Sequence, residues 1–243
     1  MNKTFRREAA MLLAASLLML LAASLFMSIP AFAQNYAPSF PRDGAKKVFD
    51  NDVFTVWDVT WAKGKPIPMQ QHQFDQVSVT LTDGAVKVTR PDKTWSIDQF
   101  PLGSVRFEPR GTAVAEEGVS DQPRRALVVE IKSYAGATVD AKVIEGLKEA
   151  KAKGIQGQFP REGAIKLFEN ERLAVWDNRW PPGVEGPLHA HYTTVVGLFV
   201  EGGELGPTAV RPVGWVNYAA PRMPPHTETA TKGSPRAIFV ELK

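Results

Sequence analysis

The chain has 243 residues, of which 44% are hydrophobic, and its 29 basic and 26 acidic residues give a formal charge of +3 at pH 7. Four charged residues, Lys3, Arg6, Arg7 and Glu8, precede a long apolar run, and without them the charge is +1. A nearly neutral remainder gives no electrostatic basis for binding nucleic acid. The absence of cysteine excludes disulfides, thiolate metal ligands and cysteine nucleophiles.

The N-terminal segment, residues 1–33, has the pattern of a secretory signal peptide. Basic residues come first, an apolar run follows, and Ala31-Phe32-Ala33 has the small-x-small form of a cleavage site. Cleavage there predicts a periplasmic or secreted protein. The apolar run is also long enough to span a bilayer, so an uncleaved anchor is the alternative, with the leader as the only membrane contact.

The rest of the chain contains an internal repeat. Residues 40–61 recur at 159–180 without a gap, with 12 of 22 positions identical, and residues 125–132 recur at 236–243. The two offsets are 119 and 111 residues, so the first copy carries eight extra residues in its middle. Self-similarity over so long a period indicates two copies of one structural unit.

Each copy is predicted to be an all-β barrel or sandwich. Short apolar alternations are separated by Gly and Pro, and helical periodicity is almost absent. In the first copy, Thr82-Asp83-Gly84 separates two alternating segments, which is typical of a β-hairpin. We therefore predict one domain at 34–135 and a second at 157–243.

The segment between the copies, residues 136–156, is predicted to be a helical linker. Four apolar residues recur there at helical spacing: Val139, Val143, Leu147 and Ala150. Lysines occupy the opposite face of the predicted helix. Thr138 is the expected N-cap, Asp140 suits the first turn, and Gly154 marks the end.

Three of the four histidines lie together in the second copy. His189 and His191 are two residues apart, so on a β-strand both side chains face one side, with Cα atoms roughly 6–7 Å apart. Two imidazoles at this distance can bind one metal ion, and His226 follows on another predicted strand. The sequence predicts a metal site formed by His189, His191 and His226, with coordination positions left for water or substrate.

The arrangement of these histidines resembles the motifs of the cupin superfamily. Gly183 stands six residues before His189-x-His191, as in the first cupin motif, and His226 matches the histidine of the second motif. With the duplication, the chain resembles a bicupin over both halves of the mature sequence. The resemblance implies an all-β fold of two double-stranded β-helix barrels, here joined by the short helical linker, with the metal near the mouth of the C-terminal barrel.

The glutamate ligand of the cupin motif is missing, because Thr194, Val195 and Val196 stand at its position. The resemblance therefore implies a three-histidine centre, such as some thiol-dioxygenase-like cupins have around ferrous iron. Glu185 and Glu228 lie close to the motif histidines in sequence and are the alternative carboxylate ligands.

The first copy lacks the histidine set. Ungapped alignment puts Gly64, Gln70 and His72 at the first-motif positions and Ala115 at the position of His226. A single histidine beside neutral carboxamides is a poor transition-metal site, so His72 is interpreted as a polar barrel-lining residue. The first barrel is predicted to be a structural partner or a metal-free binding pocket.

Arg222, Trp215 and Tyr218 are candidate substrate-binding residues. Arg222 precedes His226 by four residues, which places both on one face of a strand, where a guanidinium can bind a carboxylate through two hydrogen bonds. Trp215 and Tyr218 lie between the two motifs and are predicted to line the pocket. Surface ion pairing for Arg222 and core packing for the two aromatic residues are the alternatives.

Two classes of function remain. One is an exported metal-dependent enzyme, an oxygenase or related cupin enzyme, that uses one divalent ion of iron, manganese, zinc, copper or nickel on a small, anionic molecule. The other is a non-catalytic binding or structural module, because a fold does not determine a function. We expect no nucleic-acid partner, and a homodimer through sheet faces unless the fused copies already cover them.

Overall fold

A computed structural model describes residues 35–243, of which Tyr36–Lys243 form one compact unit. The predicted signal peptide, residues 1–33, lies outside the described residues. Within residues 35–243, no helix has both the length and the apolar character needed to cross a bilayer.

The first copy is built from strands, and between residues 35 and 135 the structure has ten: β1 (Ala37–Pro38), β2 (Ala45–Asp50), β3 (Phe54–Trp61), β4 (Ile67–Gln71), β5 (Asp75–Thr82), β6 (Gly84–Thr89), β7 (Trp95–Phe100), β8 (Val105–Glu108), β9 (Ala113–Gly118) and β10 (Arg124–Ile131). They form two sheets that face each other, in the orders β2-β3-β10-β5-β8 and β1-β4-β9-β6-β7.

The second copy repeats this plan. Between residues 153 and 243 the strands are β11 (Gln156–Gly157), β12 (Ile165–Glu169), β13 (Leu173–Arg179), β14 (His189–His191), β15 (Val195–Leu205), β16 (Ala209–Arg211), β17 (Val216–Ala219), β18 (Arg222–His226) and β19 (Ala230–Leu242). One sheet has the order β12-β13-β19-β15-β16, with β17 also paired to β15, and the other has the order β11-β14-β18. The prediction of two cupin-type barrels is confirmed.

The predicted hairpin at Thr82-Asp83-Gly84 is wrong. β5 pairs with β8 and β10, whereas β6 pairs with β7 and β9, so the chain crosses from one sheet to the other at Asp83. Alternation and a turn signal identify two strands and a bend but not the partner of each strand, and here the two strands joined by the bend lie in opposite sheets.

Alternation along the strands produces three apolar cores. In β5, Val77, Val79 and Leu81 face outward from their barrel, and the residues between them face inward. The outward sets of the two copies pack against each other in one shared core, while each barrel interior has its own aromatic-rich core. The sheet faces that we expected to pair two copies of the chain are therefore covered by each other.

A linker helix, α1 (Ala141–Ala152), connects the copies. Its N-cap is Asp140, whose carboxylate accepts from the amide of Lys142 at 2.7 Å, so the predicted cap at Thr138 is wrong by two residues. Asp140 is the better cap because its side chain reaches the first-turn amides. Leu147 and Ala150 are buried, and the helix packs on β18 of the second barrel.

Candidate metal centre

Strand pairing brings the three histidines together. β14 and β18 are antiparallel neighbours, and His189 lies directly opposite His226 in the register. His191 follows His189 on the same strand, and the side chains of both are almost fully buried. One nitrogen from each of the three rings lies within 4.8 Å of the others, the only such group of potential ligands among residues 35–243.

The spacing of the ring nitrogens fits a bound ion. His191 Nε2 and His226 Nε2 are 3.4 Å apart. Two metal–nitrogen bonds of about 2.1 Å at a tetrahedral angle separate their nitrogens by about 3.4 Å. The His189 and His226 rings are also close, with centroids 4.5 Å apart.

His189 is held in one tautomer. Its Nδ1 lies 3.0 Å from the carbonyl oxygen of Pro187, so Nδ1 carries the proton and donates it. Its Nε2 is buried without a hydrogen-bond partner. A lone pair in this state costs free energy unless a ligand accepts it, and a divalent ion is such a ligand. The donor set therefore fits a metal ion.

Two of the three imidazoles, those of His191 and His226, have lowered pKa values. Burial, followed by the charge of Arg222, lowers the pKa of His191 to about 3. Burial is also the main cause of the lowered pKa of His226, and neighbouring His189 adds to it. Neutral imidazoles are the form that binds metal, so no proton has to leave these rings before an ion enters.

Neither alternative carboxylate belongs to the histidine group. Glu185 accepts a hydrogen bond from Thr227 at 2.7 Å on the surface. Glu228 accepts from Arg161 at 3.1 Å and from the indole of Trp180 at 3.0 Å. The position of the missing family glutamate holds no carboxylate either: Val195 and Val196 are buried in apolar cores, and the hydroxyl of Thr194 accepts from the amide of Ala137.

A cavity of about 500 Å³ adjoins His226, a volume typical of small-molecule sites. His226, Arg222 and Glu228 contribute polar groups to its wall. Arg222 Nη2 lies 3.4 Å from Nε2 of both His191 and His226, as the i, i+4 spacing predicted. The cavity therefore presents a cation beside the potential metal ligands.

Trp215 and Tyr218 do not line this cavity. Tyr218 packs against the first copy, with its ring centroid 5.5 Å from that of Phe49, and Trp215 lies on the surface beside Arg211. For Tyr218 the reason is the phase of alternation in β17, where Tyr218 points to the shared core and Asn217 to the cavity. Trp215 lies just before this strand.

Sequence reasoning also missed the aromatic wall of the cavity, which is formed by Trp180, Phe199 and Phe239. The indole of Trp180 also donates a hydrogen bond to Glu228. The sequence did offer one signal for this cavity. Glu228 follows His226 by two residues, which on an extended chain places both side chains on one face.

Register corrects the alignment of the first barrel. Gln70 lies opposite Val114, as His189 lies opposite His226, so Val114 and not Ala115 is the counterpart of His226. Strand β9 of the first copy is therefore displaced by one residue against β18 of the second copy, relative to the ungapped alignment. The first barrel keeps one histidine, His72, which is buried.

Comparison with known proteins supports the fold. No family model and no curated protein sequence matches the chain. A variant of oxalate decarboxylase from Bacillus subtilis is 12% identical over 84% of this chain and 74% of that one, with a TM-score of 0.53. Another structure of that enzyme, with a TM-score of 0.52 over 79% of this chain and 69% of that one and 12% identity, is described by its Mn(II) centres.

Two further solved structures are similar to this chain in fold. AerE from Microcystis aeruginosa is 10% identical over 82% of this chain and 97% of that one, with a TM-score of 0.51. A cupin 2 conserved barrel domain protein from Leptotrichia buccalis is 11% identical over 82% and 88%, with a TM-score of 0.50. Together with the internal repeat and the two barrels, these likenesses show that the chain has the fold of a duplicated protein of the cupin superfamily.

Proposed function

We propose that the protein is an exported metal-dependent enzyme that acts on a small anionic molecule in the C-terminal barrel. The observation that carries the proposal is the group of three histidines, with nitrogens within 4.8 Å of one another, beside a cavity of about 500 Å³. A metal at three protein ligands keeps positions for substrate, which is the pattern of catalytic rather than structural metal sites.

The residues around the cavity have different proposed roles in binding and catalysis. A bound ion would act as a Lewis acid or activate water or dioxygen. Arg222 is placed to hold an anionic group of the substrate next to the histidines. Trp180, Phe199 and Phe239 form an apolar wall that limits water. Burial alone would raise the pKa of Glu228, but the charge of Arg161 and the hydrogen bonds from Arg161 and Trp180 lower it.

The donor set narrows the choice of metal. Imidazole suits iron, zinc, copper and nickel, whereas manganese favours carboxylate and water ligands. The Mn(II) of the Bacillus enzyme is therefore a weaker candidate here, because the described histidine group contains no carboxylate.

Metal analysis tests the proposal on protein purified from the exported fraction without a histidine tag. We expect close to one ion per chain in the wild type and a loss of more than 90% in a His189→Ala, His191→Ala double variant. His72→Ala is the matched control, because it removes the fourth histidine from the other barrel, and it should retain the ion. Equal metal content in all three proteins would overturn the proposed site.

A second assay separates an enzyme from a binding protein. The missing glutamate ligand favours a non-catalytic module that holds a small acid at the metal. Oxygen consumption and product formation from small carboxylic acids and thiols should depend on the loaded ion and fall in the double variant. Metal-dependent binding of such acids without any turnover would favour the binding module instead. Sequencing the N-terminus of the purified protein tests cleavage after Ala33.

A further inference from the structure

The interior of the first barrel contains a small polar cavity of about 20 Å³. Its wall includes three arginines, from three different parts of the copy: Arg42, Arg106 and Arg124. A cavity of this volume holds roughly one or two water-sized groups. Such a concentration of charge in a barrel interior requires a physical explanation, because unpaired buried charges are costly.

Arg124 is the central feature of this cavity. It is 2% exposed, and its guanidinium lies 3.6 Å from the centroid of Phe100 and 4.2 Å from that of Trp61. Among the described residues no carboxylate oxygen lies within 4.0 Å of it, and its hydrogen bond to Thr80 is long, at 3.4 Å. Burial lowers the pKa of Arg124 to about 10, so the side chain remains a cation at neutral pH.

The carboxylates near Arg124 are engaged elsewhere. Glu116 accepts from the indole of Trp61 at 3.0 Å and pairs with Arg42 at 3.5 Å. Glu108 pairs with Arg106 at 3.4 Å, and burial raises the pKa of this glutamate, so it takes up a proton more readily than an exposed one. Neither pairs directly with Arg124.

The polar atoms without partners define the kind of ligand that fits. Four buried atoms around the cavity lack a hydrogen bond: Arg42 Nε, Arg124 Nε, His72 Nδ1 and Ser39 Oγ. The two guanidinium nitrogens can only donate, while the imidazole and the hydroxyl can donate or accept. A group that only accepts can pair with each of these kinds of atom, and a carboxylate or similar oxyanion is such a group.

We propose that the first barrel binds a small, planar, monovalent oxyanion of the size of formate or nitrate, with Arg124 as its principal cationic partner. The size limit comes from the cavity, and the charge and acceptor character come from Arg124 and the unpartnered donors. The site is separate from the three histidines and does not depend on the function proposed for the second barrel.

Thermal unfolding and calorimetric titration with sodium formate and sodium nitrate at constant ionic strength test this site. Both are done on the wild type and in the His189→Ala, His191→Ala background, so that metal-dependent anion binding in the second barrel is removed. We expect formate and nitrate to bind and to raise the melting temperature in both backgrounds, and sulfate, which is larger, to do neither.

Arg124→Gln should abolish the response. Arg125→Gln is the matched control, because the neighbouring arginine points out of the barrel and pairs with Asp58, and it should keep the response. If Arg124→Gln does not fold, Ser39→Ala should weaken anion binding several-fold instead. An unchanged response in these cavity variants, or no binding of either anion, would overturn the proposal. So would a nitrate-soaked crystal with water alone in the cavity.

Discussion

One group of three polar side chains is present in both barrels, although only the second barrel has the three histidines. Arg161, Trp180 and Glu228 form a buried polar group in the second barrel, and Arg42, Trp61 and Glu116 form the same group in the first. The histidines differ between the barrels, but this group does not. We infer that it stabilises the barrel itself and lies beside the metal site because of the fold.

Glu228→Gln tests this inference. The substitution leaves the cation of Arg161, which is 5% exposed, without its anionic partner. Loss of one member of a buried pair should lower the free energy of unfolding by about 3 kcal/mol. Urea unfolding measures the change, and Glu201→Gln, in an exposed pair with Arg179, should cost less than about 1 kcal/mol. Equal effects in the two variants would contradict a structural role for Glu228.

Arg222 has a role that can be separated from metal binding. Arg222→Gln removes the positive charge beside His191 and His226 but none of the three histidines. We expect the metal content to stay the same and the affinity for a small carboxylate to fall about tenfold, which corresponds to about 1.4 kcal/mol. Titration of the metal-loaded protein measures this, with Arg179→Gln as control. A simultaneous loss of metal would show that Arg222 supports the histidines instead.

At this scale the sequence predicts some features well and others poorly. The two motifs predict the three histidines because their spacing directly determines which side chains converge. Tyr218 and Asn217 are adjacent in sequence, so a prediction that is wrong by one residue reverses which of them faces the cavity. Arg124 was missed because its counterpart in the repeat is Pro235, so the repeat gives no signal for it. The inward polar residues of β5, between the valines, were the available clue.

Among the elements, β15 and β19 show why side chains alternate in size across a sheet. Gly197 lies directly opposite Phe239 in the antiparallel register. A Cβ atom at Gly197 would lie 2.5 Å from Cε1 of Phe239, well inside van der Waals contact. Periodicity predicted a strand here but not this pair, because cross-strand partners depend on the register of distant segments.

Gly197→Ala should therefore lower the free energy of unfolding by about 2 kcal/mol through overpacking. Phe239→Leu removes the ring atoms that cause the clash, so the double variant should be less destabilised than the sum of the two single variants. Urea unfolding of the four proteins gives the coupling energy. Simple additivity would contradict the proposed contact.

At the scale of the whole molecule, the two copies are joined by apolar and ionic contacts. Asp75 of the first copy accepts a hydrogen bond from the amide of Arg110 at 2.7 Å and pairs with Arg172 of the second copy at 2.8 Å. Burial alone would raise the pKa of Asp75, but these contacts and the hydroxyl of Tyr134 lower it below its usual value. The sequence predicted the repeat but not this pair, because Asp75 lies outside the repeated segments and Arg172 takes the place of Val53 in the repeat.

The lowered pKa makes this contribution depend on pH. A carboxylate whose pKa is lower in the folded than in the unfolded state stabilises the protein above the unfolded pKa of about 4, and the effect is lost as the pH falls through the folded pKa. Asp75→Asn should cost about 2 kcal/mol at pH 7. The difference from the wild type should shrink as the pH falls below about 4. A constant difference in urea unfolding from pH 7 to acid would contradict this.

The shared core between the barrels has a consequence for how the protein responds to ligands. Because the outward faces of both copies form one apolar layer, neither barrel can unfold without exposing the face of the other. A ligand that binds only the folded state then stabilises everything that unfolds with its site. An ion bound by the histidines of the second barrel would therefore slow amide hydrogen exchange in the first barrel as well. The exchange rate in one barrel would then depend on whether the other barrel has bound its ligand.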